Sequence, residues 1–175
     1  LGDAKPKYIN SSDTYIFDKG RNLYALNLAR RSRKDYLILC EGYMDVIAMH
    51  AAGFPFAVAT LGTAIRPEQA RLLSRYTKKV ILSYDSDEAG QRATEQAIAI
   101  LEEVGLEVSV PHINGAKDPD EYLRKFGDAR FRRLVEGSRT EFSYKSEKIF
   151  AKYSMDLPEE RIKASEELCA LIAQS

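Results

Sequence analysis

The sequence predicts an α/β protein: a parallel sheet flanked by helices, followed by an all-helical appendage. Three observations predict it. Between residues 36 and 118, short apolar runs alternate with helical patterns, as βαβ units require. Beyond Asp118 the strand-like runs stop and helical patterns continue. A length of 175 residues with 45% hydrophobic content suits one domain, or one domain with a small addition, around a real core.

The elements follow in order. From Leu1 to about Arg33 no period is clear. Asn10, Ser11, Ser12, Asp13 and Gly20 suggest loops, and Leu23 to Ala29 suggests a short helix. Tyr36–Cys40 reads as a buried strand. Met44–Ala52 reads as a helix closed by Gly53. Phe56–Ala59 is a second strand, and Pro67–Tyr76 a helix with proline in its first turn, where a missing N–H costs little. Val80–Tyr84 is a third strand. Glu88–Val104 is a long helix with Ile98, Leu101 and Val104 on one face, ended by Gly105. Val108–Ile113 is a fourth strand. Helices are then expected over Pro119–Phe126, Ala129–Glu136, Thr140–Tyr153 and Pro158–Ala173. Phe142, Ile149, Phe150 and Tyr153 mark the apolar face of the third. Ile162, Leu168, Cys169 and Ile172 mark that of the fourth.

Several classes are excluded. No apolar run approaches the roughly 18 residues of a membrane span, and no signal-peptide pattern is present. Cys40 and Cys169 lie far apart without CxxC spacing, so neither a disulfide framework nor a cysteine-rich zinc site is expected. Each reads as a small buried apolar residue. There is no Walker A pattern, no GxGxxG fingerprint and no G-x-S-x-G elbow. His50 and His112 lack partners at metal-ligand spacing and read as structural. The chain starts at Leu1 rather than Met and its last helical pattern runs to the end, so a fragment of a longer protein is expected.

The formal charge of zero excludes binding of nucleic acid by net positive charge alone. The zero is nevertheless a sum of unlike parts. Residues 1–40 hold eight basic and four acidic residues, a charge of +4; the remaining 18 basic and 22 acidic residues give −4. Arg30, Arg31, Arg33 and Lys34 read as a solvated face. Such asymmetry points to a polyanionic partner or to a site that holds cations.

The acids are placed at strand ends. Glu41 follows the first strand, with Asp45 four residues on; Asp85 and Asp87 follow the third; Asp118 and Asp120 follow the fourth. Ligands of open parallel sheets bind at the C-terminal ends of the strands, so these carboxylates are expected at one edge. An acid after a strand is often only a helix cap, and Asp87 and Asp118 suit that role. Three clusters at equivalent positions are harder to explain so. Gathered, they would repel one another unless cations intervened, and Mg²⁺ prefers oxygen ligands. Gly42, Gly62 and Gly90 beside the strand ends would let backbone approach a ligand, and Leu61-Gly62-Thr63 either lines such a pocket or forms a turn before the Pro67 helix.

Four stretches carry a resemblance: Glu41-Gly42-Tyr43-Met44-Asp45-Val46-Ile47, Leu61-Gly62-Thr63-Ala64, Tyr84-Asp85-Ser86-Asp87-Glu88-Ala89-Gly90 and Lys117-Asp118-Pro119-Asp120. Together they resemble the Toprim domain, a Rossmann-like parallel sheet, of bacterial replicative DNA primases of the DnaG type. Pro6-Lys7-Tyr8-Ile9-Asn10-Ser11 and Phe17-Asp18-Lys19-Gly20-Arg21-Asn22-Leu23-Tyr24 resemble the end of the basic N-terminal subdomain of that family. Ser12 departs from a proline common there.

The resemblance implies residues 1–35 as the end of the basic subdomain, 36–127 as Toprim and 128–175 as the start of a helical subdomain. It implies two-metal nucleotidyl transfer with Mg²⁺ or Mn²⁺, making RNA primers on single-stranded DNA from ribonucleoside triphosphates. Asp85 and Asp87 become the leading catalytic metal ligands, completed by Asp45, Asp118 and Asp120. Glu41 becomes a general acid/base or an indirect metal partner. Lys7, Asn10, Lys19, Arg21, Gly42, Gly62 and Thr63 fall at nucleotide or nucleic-acid positions. The family's zinc-binding and helicase-binding parts have no counterpart in this sequence, and a cytoplasmic location is implied. The Glu-Gly and Asp-x-Asp pair alone also occurs in Toprim topoisomerases and nucleases, and a non-catalytic Toprim-like binding module would share the scaffold.

Overall fold

The computed structural model describes residues 14–61 and 64–174. Its sheet holds β1 (Tyr36–Cys40), β2 (Ala57–Ala59), β3 (Lys79–Leu82), β4 (Glu107–Val110) and β5 (Arg139–Thr140), in the spatial order β2-β1-β3-β4-β5. The first four are parallel. Leu37, Ile38, Leu39 and Cys40 of β1 are all buried. That burial on both faces explains the unbroken apolar run that marked the strand.

The connections are α2 (Tyr43–Ala51), α3 (Pro67–Leu73) and α4 (Glu88–Glu102), after a short α1 (Leu26–Ala29). Gly53 and Gly105, with φ of +85° and +76°, follow α2 and α4 in the left-handed conformation that suits glycine at a helix end. α2 covers the face bearing Cys40, whose Sγ lies 3.6 Å from Met49 Sδ. α4 covers the other face, burying Ala97, Ile98 and Leu101. Helices therefore lie on both faces, as expected. The chain leaves β1 toward β2, then crosses back to β3, so its direction of winding reverses between β1 and β3.

The later helices are α5 (Pro119–Phe126), α6 (Asp128–Glu136), α7 (Glu141–Lys152) and α8 (Pro158–Gln174). α6 joins the core: Phe131 is fully buried and its ring packs edge-on against Phe54 at 5.1 Å.

Three expectations need correction. The strands do not stop at Asp118, because β5 pairs antiparallel with β4, Ser109 opposite Thr140 and Val110 opposite Arg139. Two residues at a sheet edge are too short to leave a periodic signal. Cys169 is exposed, unlike Cys40. The apolar stripe of α8 does not face a core either: Ile162 and Ile172 are exposed, and the buried position is Ala164.

The head is tied to the sheet by backbone. The Tyr24 N–H donates to the Ala59 carbonyl at 2.8 Å, and the Ala59 N–H to the Tyr24 carbonyl at 3.3 Å. The Tyr24 ring packs on Tyr43 at 5.2 Å. A 3-10 turn, Lys19–Arg21, rests against α3 through the buried side chain of Gln69. The Gln69 amide donates to the Lys19 and Asn22 carbonyls at 3.0 and 2.8 Å and accepts from the Arg66 N–H at 2.9 Å.

Candidate active site

Glu41 and Asp85 emerge from β1 and β3, the adjacent strands between which the winding reverses. Ligand crevices of doubly wound sheets form at such a switch point. The two residues are joined directly, for the Asp85 backbone hydrogen-bonds the Glu41 carboxylate. Glu41 Oε1 is buried and has no hydrogen-bond partner.

The field around these groups is negative. The Glu41 carboxyl is pushed up to about 7, first by burial, then by the charge of Asp85, with Asp87 and Asp45 adding to it. Asp45, in the first turn of α2, is pushed up to about 6 by burial and by Asp85 and Asp118, against lowering hydrogen bonds from the Asp120 and Gly42 backbones. Burial and the same acids also raise the Cys40 thiol. Burial, then Glu41, raises the Tyr84 phenol, so Tyr84 stays protonated. Acids from three strand ends thus act on Glu41 and Asp45.

Local structure brings the loops together. The Ser86 N–H donates to the Lys117 carbonyl at 2.8 Å, and its hydroxyl to the same carbonyl at 3.0 Å. The Asp-Ser-Asp loop after β3 is therefore fastened to the Lys117-Asp118 segment that leads into α5. Gly42, just before α2, lies close to the Asp45 carboxylate: a Cβ there would stand 2.9 Å from Asp45 Oδ2.

Both capping roles are present as well. Asp87 Oδ1 accepts from the Gly90 N–H at 2.8 Å, and Asp118 Oδ1 from the Glu121 N–H at 2.7 Å. Each cap occupies one carboxylate oxygen. Asp118 Oδ2 lies 3.8 Å from Lys117 Nζ, and Asp120 Oδ2 lies 3.0 Å from Arg124 Nη2 along the same helix.

Among the described residues, no three acids, histidines or cysteines converge as a ready-made metal cage. The donors still suit a hard divalent cation. They are oxygens only, burial and the charge of Asp85 raise the carboxyls of Glu41 and Asp45, and one buried oxygen lacks a partner. Mg²⁺ commonly takes one or two carboxylates and fills its shell with water and phosphate oxygens.

On the cationic side, Lys19 and Arg21 sit in the turn held by Gln69. Arg66 joins them and was not foreseen. Its side chain lies over Gly20, where a Cβ would come within 2.6 Å of Nη1. An arginine just before a helix-starting proline carries no motif of its own. Lys7, Asn10, Gly62 and Thr63 lie outside the described residues.

Residues 38–123 match a family model described as Toprim-like. The chain is 43% identical over 175 residues to a DNA primase of Clostridium acetobutylicum, covering 99% of this chain and 29% of that protein. It superposes with a TM-score of 0.82 and 35% identity on the zinc-binding and RNA polymerase domains of the Aquifex aeolicus primase, covering 99% of this chain and 41% of that one. It also superposes, with a TM-score of 0.80 and 33% identity, on a DnaG primase catalytic domain bound to single-stranded DNA, covering 99% and 57% respectively. The chain thus spans under a third of the length of the Clostridium relative.

Proposed function

Because the chain belongs to the DnaG-type family of bacterial DNA primases, we propose that it forms the catalytic heart of an enzyme that synthesises short RNA primers on single-stranded DNA. The observation that carries this reading is the set of coupled carboxylates at the switch point, with Glu41 titrating at about 7. The reaction attacks the α-phosphorus of a ribonucleoside triphosphate with a 3′-hydroxyl and releases pyrophosphate.

Asp85 and Asp87 hold the divalent cations in this reading, with Asp45, Asp118 and Asp120 completing the set. Bound Mg²⁺ or Mn²⁺ supplies charge neutralisation on the triphosphate and the leaving pyrophosphate. Glu41 is suited to accept the hydroxyl proton, since an effective base titrates near the working pH. Lys19, Arg21 and Arg66 offer cations to the triphosphate or to the template backbone. Gly42 keeps the start of α2 open to phosphate. Lys7, Asn10, Gly62 and Thr63 belong to the same proposed surface.

Single-stranded DNA is the proposed template, supported by the DNA-bound catalytic domain that this chain resembles. The proposed division is residues 1–35 as the end of a basic subdomain, 36–127 as Toprim and 128–175 as the start of a helical subdomain. A replicative helicase would be met through parts of the protein outside this chain, in the cytoplasm beside the chromosome. Among the described residues, no helix is long and apolar enough to cross a membrane.

The test is Asp85→Asn in the whole enzyme that contains this segment. Primer synthesis should be lost while the circular dichroism spectrum and thermal midpoint stay close to wild type. An unchanged primer yield from that variant would sink the assignment.

A further inference from the structure

The segments that lead into parallel strands gather at the sheet edge opposite the one that bears Glu41 and Asp85. Residues 30–35 lead into β1 and residues 74–78 into β3, and the two strands start in register, Tyr36 beside Lys79. The buried Thr77 hydroxyl stands 2.9 Å from the Asp35 and the Lys79 carbonyls and ties the two segments together.

This edge is basic. Residues 30–35 hold four basic residues and residues 71–78 hold three, against one acid, Asp35. All seven cations are exposed. None of them pairs with a carboxylate among the described residues, whereas exposed cations elsewhere do: Arg92 with Glu88 at 2.7 Å, Lys125 with Glu121 at 2.8 Å. Lys79, paired with Glu107 at 3.3 Å, bounds the patch toward β4. A merely solvated helix face mixes signs along its length. Here charges of one sign, drawn from segments far apart in sequence, repel one another until a polyanion meets them. Tyr76, between Arg75 and Lys78, is 43% exposed. An uncovered ring among cations suits a single strand, whose bases can stack on it; a duplex keeps its base faces hidden.

We propose that this edge binds single-stranded nucleic acid as a second contact surface, remote from the carboxylates, with Arg30, Arg31, Arg33, Arg75 and Lys78 on the phosphates and Tyr76 under a base. From Asp35 to Glu41 the chain runs six residues, about 20 Å at roughly 3.3 Å per residue. That distance exceeds the Debye length of about 8 Å at physiological salt. The surface therefore acts on capture of the strand and leaves the field at the carboxylates unchanged. It stands whether or not Asp85 is catalytic.

The experiment titrates the 175-residue chain into fluorescein-labelled oligo(dT) with EDTA present and follows anisotropy against NaCl concentration. Arg31→Glu with Arg33→Glu, and separately Arg75→Glu with Lys78→Glu, should each weaken binding about fivefold or more at low salt. Each pair should also flatten the slope of log affinity against log salt by about 1.4, two phosphate contacts at roughly 0.7 each. Thermal midpoints should stay near wild type, and either pair tests the proposal if the other fails to fold. Tyr76→Ala should weaken binding about fivefold or more, and Tyr76→Phe should restore it. Wild-type affinity in either folded pair, or in Tyr76→Ala, overturns the proposal. Equal affinity for a blunt duplex overturns it too, as does displacement of the strand by poly-glutamate at equal charge concentration, which would mark an acidic protein partner. Mn²⁺ broadening of signals near Asp85 and Asp87, recorded without EDTA, should be the same in the wild-type and charge-reversed chains. Its loss in the charge-reversed chains overturns the remoteness of the surface. Its absence in the wild-type chain counts against the primase reading and leaves this surface standing.

Discussion

Gly90, in the first turn of α4, lies against the backbone of Asp85: a Cβ built on Gly90 would stand 2.2 Å from the Asp85 carbonyl oxygen. Backbone cannot swing away as a flexible side chain can. Gly90 therefore sets how closely the start of α4 approaches the end of β3, and with it where Asp85 and Asp87 stand. Gly90→Ala should cost at least about 2 kcal/mol through overpacking. Gly105→Ala should cost only about 1 kcal/mol, the strain of a left-handed conformation, because nothing lies within 4 Å of a Cβ there. Urea denaturation of the two variants checks the order. Equal midpoints would show that Asp85 is free to move aside.

The raised carboxyls give a pH dependence with a definite sign. Glu41 titrates at 4.5 in an unfolded chain and at about 7 in the fold, and Asp45 at 3.8 and about 6. Between those values the unfolded chain has released its protons while the folded chain retains them. Stability of the metal-free chain should accordingly fall as pH rises from about 4 to 7. The loss should be on the order of 2 kcal/mol, since solvent reaches both groups and they titrate together. Glu41→Gln should flatten the slope. Denaturation midpoints in EDTA across that pH range measure it, and a midpoint that rises with pH would contradict the burial and repulsion that raise these carboxyls. Added Mn²⁺ should stabilise the chain near neutral pH and much less in acid, where the ligands are protonated.

Gln69 fastens the basic turn to α3. Its removal as Gln69→Ala leaves the Lys19 and Asn22 carbonyls and the Arg66 N–H without the bonds they now make. The cost should be about 2–4 kcal/mol, combining unsatisfied polar groups with a small cavity. The diagnostic is where the structure loosens. Hydrogen exchange should accelerate in the turn at Lys19–Arg21 and at the Tyr24–Ala59 bridge, with β3 and β4 unaffected. Uniform acceleration would show that Gln69 supports the core rather than the head.

The contrast between Gln69 and its neighbours shows what was readable in the sequence. Apolar runs and glycines placed the four parallel strands and the ends of α2 and α4, because burial on both faces and left-handed turns leave a residue-type signature. The acids at strand ends were readable for the same topological reason. Gln69 was not, since a buried amide that satisfies distant carbonyls looks like any surface polar residue of a helix. Arg66 over Gly20 is a contact between residues far apart in sequence, and no spacing rule encodes it. β5 is selected by the exposed edge of β4, not by its own residues. The outward stripe of α8 shows the converse: helical periodicity marks a face without saying what covers it.

Asp87 performs two jobs that substitution can separate. Its Oδ1 caps α4 through the Gly90 N–H, while its charge reaches Glu41 among the carboxylates. Asparagine caps a helix about as well as aspartate, whereas alanine loses about 1 kcal/mol. Asp87→Asn should therefore unfold at nearly the wild-type urea concentration, and Asp87→Ala measurably lower. Both should lose primer synthesis in the whole enzyme, because neither carries the charge. Removing that charge should also ease ionisation of Glu41, lowering its titration from about 7. The carboxyl ¹³C shift of Glu41 followed against pH reads that change directly. If Asp87→Asn kept full primer synthesis, the role of Asp87 would reduce to its cap, and metal holding would fall to Asp85 and Asp45.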